Sequence, residues 1–218
     1  NYGVILKNLR KLQKAELSYR KAIEIRPDVA EAHYNLGNVL KNLSKLKEAE
    51  FSYRKAIELK PHFAKAHSNL GNILRDLSKS EEAEFSYRKA IEIKPDYPEA
   101  HLNLGNILRD LNNLQEAEFS TRKAIEIKPD FAVAHSNLGN ILRDLGKLQE
   151  AELSIRKAIE LNPNYATAFY NLGIIFKDLG KLEEAVFLYR KAIKIKPDYA
   201  TAYYNLGIIF KDLGKLEE

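Results

Sequence analysis

The sequence predicts an all-α solenoid of stacked helix-turn-helix units, and three observations lead to this prediction. The sequence repeats every 34 residues without insertion or deletion when Ala30 is taken as place 1. Each copy contains two stretches with apolar residues at helical spacing. A proline at place 32 ends the second stretch of each copy that reaches it: Pro27, Pro61, Pro95, Pro129, Pro163 and Pro197. A period of this length is typical of arrays whose units bury their apolar faces against their neighbours.

The copies divide the chain into one continuous array over residues 1–218. A partial repeat occupies residues 1–29 and covers places 6 to 34, and another partial repeat occupies residues 200–218. The complete repeats lie between them: 30–63, 64–97, 98–131, 132–165 and 166–199. We therefore expect a single domain built from repeats.

The first helix of each repeat, helix A, is predicted to start after an aspartate cap. Asp28 precedes Glu31 by three residues, which is the spacing of a capping box. Helix A should end near place 15, where Gly146, Gly180 and Gly214 tolerate the left-handed backbone that commonly ends a helix. The second helix, helix B, should run from about place 17 to the proline at place 32.

Composition limits the classes of protein to which the chain can belong. An apolar fraction of 45% allows a sizeable core, and 35 basic against 30 acidic residues give a net charge of only +5. The absence of cysteine excludes disulfides and cysteine-metal sites. No apolar run is long enough to cross a bilayer, and no signal peptide opens the sequence. The cytoplasm is the default expectation. Because the sequence lacks methionine, we expect it to be a piece of a longer chain.

Helix A is predicted to have two different faces. Places 3, 4, 7, 8, 10, 11 and 14 share one arc at 100° per residue and form the core stripe: Ala134, His135, Leu138, Gly139, Ile141, Leu142 and Leu145 in one repeat. The mid-helix glycine at place 8 is expected to contact helix B closely, because glycine otherwise weakens a helix. Places 2, 5, 6, 9, 12 and 13 share the opposite arc, which we call the asparagine face.

Asparagine dominates two places of this face. Place 6 is asparagine in every copy: Asn1, Asn35, Asn69, Asn103, Asn137, Asn171 and Asn205. Place 9 is asparagine in four copies: Asn38, Asn72, Asn106 and Asn140. Asparagine is a poor choice in a helix interior, since its side chain competes for backbone partners. These asparagines could have been copied with the repeat without any role, or they could link neighbouring repeats by hydrogen bonds. They could also form a ladder of amides that binds an extended peptide backbone.

Charges and histidines give no sign of nucleic acid, metal or catalysis. Place 12 is always basic, with Arg75, Arg109 and Arg143 in the middle copies, but place 13 is acidic beside it in most copies. Other arginines follow glutamate by four residues in helix B, as in Glu50 and Arg54. The histidines of place 4 occur once per repeat on the core stripe, where they pack rather than share a metal ion. No nucleophile and base pair or phosphate loop is present, so we expect neither an enzyme nor a cofactor.

The asparagine face changes in the last two copies. Place 9 becomes Ile174 and Ile208, and place 5 becomes Tyr170 and Tyr204. These residues could anchor an apolar side chain of a ligand near the carboxyl end of the array. Alternatively, they could be covered by another copy of the chain in end-to-end association through the truncated repeats.

The residue pattern of the copies resembles the tetratricopeptide repeat (TPR). This pattern is Asn-Leu-Gly, followed by alanine at places 20 and 27, tyrosine at place 24 and proline at place 32. The departures are Ser80 in place of leucine at place 17, and Thr121 and Ile155 at place 24. The resemblance implies a right-handed superhelix whose concave groove is lined by helix A. The asparagines also resemble those lining the superhelix of O-linked N-acetylglucosamine transferases, where place 6 contacts the substrate backbone.

A second family comparison is negative. Repeat proteins that clamp the acidic tails of heat-shock chaperones use lysine at place 5 and arginine at place 6, and neither occurs here. We therefore expect a scaffold that binds protein or peptide in an extended conformation, without nucleic acid, membrane, metal or cofactor. The alternatives are a substrate-recruiting arm of a larger enzyme, such as a glycosyltransferase, and a structural array that assembles with itself.

Overall fold

The computed structural model describes residues 2–212 and residue 214, with side chains from Leu9 to Lys211. Over this range the chain contains twelve helices and no strand. The helices are α1 (Tyr2–Ile25), α2 (Ala30–Asn42), α3 (Leu46–Leu59), α4 (Ala64–Asp76), α5 (Ser80–Ile93), α6 (Pro98–Asp110), α7 (Leu114–Ile127), α8 (Ala132–Asp144), α9 (Leu148–Leu161), α10 (Ala166–Asp178), α11 (Leu182–Ile195) and α12 (Ala200–Asp212). The all-α class and the helical-repeat architecture predicted from the period are confirmed. Asn1, the first asparagine of place 6, lies outside the described residues.

The amino-terminal helix differs from the expected pattern. α1 continues without a break through places 7 to 30, where the repeat pattern leads us to expect two helices and a turn. Arg10 stands at place 15 here. Arginine is a good helix former, whereas the later repeats place glycine, serine or asparagine at this turn. The helix therefore has no local reason to stop at place 15.

Helix A of the later repeats ends as predicted but does not begin as predicted. At place 15 the backbone angle φ is positive for Gly146, Gly180 and Gly214, and also for Ser44, Ser78 and Asn112, with φ from 58° to 75°. The capping box is wrong: Val29 is the N-cap of α2, and no side-chain cap bond forms there. Glu31 instead accepts a hydrogen bond of 2.7 Å from Nζ of Lys60.

Helix B begins at place 17 and ends at place 30, two residues before the proline. Lys60 illustrates this ending, with φ of −141° and ψ of 83° just before Pro61. The residue before a proline disfavours helical angles because the proline ring crowds its backbone. Ser80 starts α5 at place 17, where the other repeats have leucine. Since α5 still runs from place 17 to place 30, this departure does not shift the repeat.

The chain forms two compact units, Asn1–Ile107 and Leu108–Glu218. In each unit the core lies between helices A and B, with places 3, 7, 10, 20 and 27 buried by alanine, leucine and isoleucine. The close contact predicted at the place-8 glycine is present. A Cβ atom added at Gly37 would lie 2.7 Å from Cε1 of Tyr53, and one added at Gly173 would lie 2.6 Å from Cε1 of Tyr189. Thr121 and Ile155, which replace tyrosine at place 24, are also fully buried.

Ion pairs link helix B of one repeat to the next repeat. Glu50 accepts hydrogen bonds from Arg54 in its own helix and from Lys79 at the start of the following helix B, both at 2.9 Å. Arg54 also reaches Glu82 in that following helix. The same arrangement joins Glu118 to Arg122 and Lys147. Pairing at four residues' separation was predicted, whereas the bond to the next repeat was not visible in the sequence.

The outer side of helix B exposes large apolar side chains at place 22. The exposed fraction of Phe51 is 71%, and that of Leu153 is 69%. Beside each of these side chains lies a cleft of about 510 Å³. Leu36 and Leu40 line the first cleft, and Leu138 and Leu142 line the second. Place 22 therefore contributes little burial to the fold of a single copy.

Candidate functional site

The asparagine face of the first unit carries two groups of hydrogen bonds that link neighbouring repeats. Nδ2 of Asn69 donates to Oδ1 of Asn38 over 2.9 Å, and to the hydroxyl of Tyr34 over 3.2 Å. The hydroxyl of Tyr53, from helix B, donates to the same Oδ1 of Asn38 over 2.8 Å. The amide oxygen of place 9 therefore receives two donors, one from its own repeat and one from the next.

The next pair of repeats in this unit has the same arrangement. The hydroxyl of Tyr87 donates to Oδ1 of Asn72 over 2.9 Å, and Nδ2 of Asn103 donates to that oxygen over 3.1 Å. Tyr53 and Tyr87 are fully buried. Burial raises the pKa of the Tyr87 hydroxyl to about 12, and it raises the pKa of the Tyr53 hydroxyl further. Both hydroxyls therefore keep their protons and act as donors at neutral pH.

The second unit contains a natural comparison for this contact. Tyr189 occupies place 24 in the repeat whose place 9 is Ile174, so its hydroxyl lacks the asparagine oxygen that Tyr53 and Tyr87 use. Within the part of the chain that the structure describes, the Tyr189 hydroxyl is buried without a hydrogen-bond partner. The same is true of Oγ1 of Thr121, another substitution at place 24. The tyrosine of place 24 and the asparagine of place 9 thus form a hydrogen-bonded pair in the two complete repeats that contain both residues.

Two asparagines of place 6 in the second unit donate to a hydroxyl at place 5 of the preceding repeat. Nδ2 of Asn171 donates to Oγ of Ser136 over 3.2 Å, and Nδ2 of Asn205 donates to the hydroxyl of Tyr170 over 2.9 Å. Asn171 is buried, with an exposed fraction of 7%. The other predicted contact asparagines of places 6 and 9 are half-buried: Asn35, Asn38, Asn69, Asn72, Asn103, Asn106, Asn137, Asn140 and Asn205.

Place 5 is less exposed than the helical arc predicts. Ser68, Leu102 and Ser136 are buried, although the spacing of helix A assigns them to the asparagine face. The aromatic residue of place 34 explains this difference. The Tyr34 and Phe63 ring centroids lie 4.8 Å apart, and those of Tyr170 and Tyr199 lie 5.0 Å apart. Sequence reasoning missed place 34, although an aromatic residue recurs there in every complete repeat.

Charged residues at the edge of the asparagine face pair between repeats. Nε of Arg109 donates to Oδ2 of Asp144 over 2.6 Å, and Nε of Arg143 donates to Oδ2 of Asp178 over 2.7 Å. Arg75 and Arg109 are half-buried, as is Arg143. In the second unit the two arginines of place 12 are therefore neutralised by the acidic residues of place 13 in the next repeat.

The histidines of place 4 bind backbone rather than one another. Nε2 of His33 lies 2.9 Å from the carbonyl oxygen of Pro27, and Nε2 of His135 lies 2.9 Å from that of Pro129. Each contact ties the start of helix A to the loop before it. Among the described residues, no three histidine, aspartate or glutamate side chains gather as metal ligands would. No helix of the described range has the length and apolar character needed to cross a membrane.

The apolar residues of the last copies differ in their surroundings. Tyr170 is half-buried and packs against Tyr189, with ring centroids 5.6 Å apart. Ile174 packs partly against the core of the second unit. Tyr204, in contrast, has an exposed fraction of 71%. The structure therefore leaves Tyr204 open to solvent and covers a large part of Tyr170 and Ile174.

Family models match the sequence along most of its length. The model described as "TPR repeat" matches residues 9–44, 71–112, 139–180 and 174–214. Two models described as "Tetratricopeptide repeat" match residues 30–63 and 98–131, and residues 52–85 and 121–152. The chain belongs to the tetratricopeptide repeat family. Comparison with curated proteins gives no match.

Solved TPR structures resemble the chain in fold. YrrB, described as a TPR protein with an unusual peptide-binding site, is 29% identical, with a TM-score of 0.67 over 86% of this chain and 96% of YrrB. MamA is 22% identical, with a TM-score of 0.67 over 76% of this chain and 97% of MamA. The Cut9-Hcn1 complex of the APC/C is 16% identical, with a TM-score of 0.80 over 92% of this chain and 40% of the matched chain. The TPR fold of the chain follows from these matches.

Proposed function

We propose that the chain is a scaffold that holds extended polypeptide along the asparagine face of its TPR helices, acting as a single array of repeats. The observation that supports this most is the amide network in which buried Tyr53 and Tyr87 hold Asn38 and Asn72 in place. A preorganised amide loses little freedom on binding. It also offers both kinds of hydrogen-bonding group that a peptide unit needs.

The same network is also what the alternative requires, in which the asparagines only link and stiffen the repeats. Nδ2 of Asn69, Asn103 and Asn171 is used between repeats. An amide has further hydrogen-bonding capacity beyond one donated bond, because its oxygen accepts and its nitrogen carries two protons. The half-buried amides at places 6 and 9 thus retain groups for a ligand while they link the repeats. Each hydrogen bond contributes about 0.5–1.5 kcal/mol, so a ladder of several is needed for useful affinity.

TPR neighbours support a peptide or protein as the partner, since YrrB is described by its peptide-binding site. The paired charges of Arg109 and Arg143 disfavour nucleic acid, because counterion release requires unpaired basic groups. The proposed contact residues are the half-buried asparagines, with Arg75, Arg109 and Arg143 at the edge of the face. Tyr170, Ile174 and Tyr204 would provide an apolar anchor toward the carboxyl end.

A library of random 12-residue peptides, panned against the wild-type chain, tests the proposal. We expect a set of binders with diverse side chains, because amides that contact the backbone select conformation rather than sequence. The variant Asn38→Ala, Asn72→Ala, Asn106→Ala should weaken binding of the selected peptides by about tenfold or more. The matched control changes outward helix B residues instead, for example Lys55→Ala and Lys89→Ala. Equal binding by the asparagine variant and the control would reject the asparagine face as the site.

Ile174→Asn tests the apolar anchor separately. This change supplies the missing acceptor for the Tyr189 hydroxyl and removes an apolar surface. We expect weaker binding of peptides with a large apolar residue and unchanged binding of peptides without one. Sedimentation of both proteins over a range of concentrations distinguishes this outcome from self-association. A change in oligomeric state with unchanged peptide affinity would contradict the anchor.

A further inference from the structure

We infer that the linked asparagines of the first unit have a fixed polarity toward their ligand. Asn38 and Asn72 present Nδ2 donors to main-chain carbonyl oxygens of an extended polypeptide. Asn69 and Asn103 present Oδ1 acceptors to its main-chain N–H groups. This inference rests on the proposed function and specifies which ligand atom meets which amide atom.

The orientation of the place-9 amide follows from the buried tyrosine. The Tyr53 hydroxyl is fully buried, keeps its proton at neutral pH and donates to Oδ1 of Asn38 over 2.8 Å. If the Asn38 amide turned over, its NH2 group would face the hydroxyl, and the hydroxyl proton would lose this acceptor. A buried donor without an acceptor is costly, so the amide oxygen stays on the inner side. The Nδ2 group of Asn38 is thereby directed away from Tyr53.

The orientation of place 6 follows from that of place 9. Nδ2 of Asn69 donates to the same Oδ1 of Asn38 over 2.9 Å. If the Asn69 amide turned over, two amide oxygens would face each other and repel. The Oδ1 atom of Asn69 therefore remains available as an acceptor. Asn72, Tyr87 and Asn103 repeat the arrangement, with distances of 2.9 and 3.1 Å.

A linked pair of this kind offers one donor and one acceptor, as a residue in a neighbouring strand does. In an antiparallel sheet, a hydrogen-bonded residue uses its own N–H and C=O with one partner. Neighbouring helices lie roughly 8–10 Å apart, and an extended chain advances about 3.3 Å per residue. Successive asparagine pairs can therefore engage about every third residue of an extended ligand.

The second unit shows what happens when the pair is incomplete. Ile174 removes the amide of place 9, and Nδ2 of Asn205 in the following repeat donates to the hydroxyl of Tyr170. The Tyr189 hydroxyl then has no partner among the described residues. Carbonyl capture is therefore assigned to Asn38 and Asn72, where the orienting tyrosine is present.

Two aspartate variants separate polarity from stiffening. In Asn38→Asp, Asn72→Asp, the carboxylate still accepts from the tyrosine hydroxyl and from the next asparagine, but the outward donor is lost. In Asn69→Asp, Asn103→Asp, the donor between repeats is lost, but an outward acceptor remains. Both variants add the same charge, so each is the control for the other.

The probe is a fluorescein-labelled 12-residue peptide selected by the wild-type chain from the random library. We expect the Asn38→Asp, Asn72→Asp variant to bind it at least about tenfold more weakly than the Asn69→Asp, Asn103→Asp variant. The urea midpoint should fall more in the second variant than in the first. The reverse order of affinities, or equal affinities, would overturn the polarity. If the wild-type library yields no binder at all, the proposed function fails.

An independent measurement needs no ligand. In side-chain amide NMR spectra of the free chain, the Nδ2 protons of Asn69 should be protected from exchange, because this group donates to Asn38 and to the Tyr34 hydroxyl. Nδ2 of Asn38 should have both protons exchanging freely. Protection at Asn38 and free exchange at Asn69 would show that the amides are turned over, and would overturn the inference even if peptides bind.

Discussion

The hydroxyl of Tyr53 donates a hydrogen bond of 2.8 Å to Oδ1 of Asn38, which joins the buried core to the asparagine face. The donor is a core residue of helix B, and the acceptor is a polar residue on the other face of helix A. The orientation of a surface amide is therefore set from inside the repeat. Tyr189 lacks this acceptor because place 9 of its repeat is Ile174.

Removing the hydroxyl at place 24 should have opposite consequences in the two units. Tyr53→Phe removes a satisfied hydrogen bond and should lower the free energy of unfolding by about 0.5–1.5 kcal/mol. Tyr189→Phe removes a buried hydroxyl without a partner and should leave stability unchanged or raise it by up to about 1 kcal/mol. Urea unfolding followed by circular dichroism compares both variants with the wild type. Equal losses in the two variants would contradict the pairing of places 24 and 9.

The buried tyrosines should make the chain sensitive to alkaline pH. Burial raises the pKa of Tyr87 to about 12, above its value in the unfolded chain. Because the pKa of Tyr87 is raised in the folded state, its contribution to the free energy of unfolding is complete below the unfolded pKa of about 10. This contribution is lost as pH rises toward 12. The loss from Tyr87 is roughly 2–3 kcal/mol.

Urea midpoints measured from pH 8 upward, at constant ionic strength, check this expectation. The series starts below the pKa of free tyrosine, which is about 10. Tyr87→Phe is the control, because its stability should fall less over the same interval. A wild-type midpoint that stays constant while exposed tyrosines ionise would contradict the prediction.

The link from Glu50 to the next repeat should matter more than an exposed ion pair. Burial raises the pKa of Glu50, but hydrogen bonds from Lys79 and Arg54 outweigh it, so that the pKa is lowered overall. Glu50→Gln should lower the free energy of unfolding by about 1–3 kcal/mol at neutral pH. Glu58→Gln is the matched control, since Glu58 pairs with Lys55 at an exposed site and should cost less than about 0.5 kcal/mol.

The pH dependence gives a second check on Glu50. Because the pKa of Glu50 is lowered in the folded state, its carboxylate contributes to the free energy of unfolding above the unfolded pKa of about 4.3. This contribution disappears as pH falls through the folded pKa. The difference between wild type and Glu50→Gln should therefore shrink in acid. A difference that is constant from neutral pH into acid would indicate that packing, rather than charge, causes the loss.

Two mid-helix glycines of the second unit should respond differently to alanine. At Gly173 a Cβ atom would lie 2.6 Å from Cε1 of Tyr189, so Gly173→Ala should destabilise by about 1–3 kcal/mol. At Gly207 no described atom lies within 4 Å, so Gly207→Ala should stabilise α12 by about 0.5–1 kcal/mol. Thermal unfolding and helical content by circular dichroism measure both effects. A loss at Gly207 equal to that at Gly173 would show that a contact at place 8 is general.

Much of the fold could be read from the sequence, because each prediction depended on residues within one helix or one turn. The proline at place 32 ends helix B, and glycine at place 15 takes a positive φ. Places 3, 7 and 10 of the core stripe of helix A are buried as predicted, whereas places 4 and 14 are mostly half-buried. The capping box at Asp28 was wrong, because α2 begins one residue later than expected, with Val29 as its N-cap and no side-chain cap bond. The continuous α1 was also missed, because the repeat pattern was extended to a copy without a turn residue at place 15.

By itself, the sequence determined the period, the TPR family and the presence of asparagine at places 6 and 9. Only the tertiary structure decided which amide atoms face inward, that aromatic residues of place 34 cover place 5, and that Arg109 meets Asp144. The physical reason is that periodicity orders residues around one helix. A hydrogen bond between helices depends instead on how residues such as Tyr53, Asn38 and Asn69 approach one another after packing, and competition among several polar neighbours settles each bond.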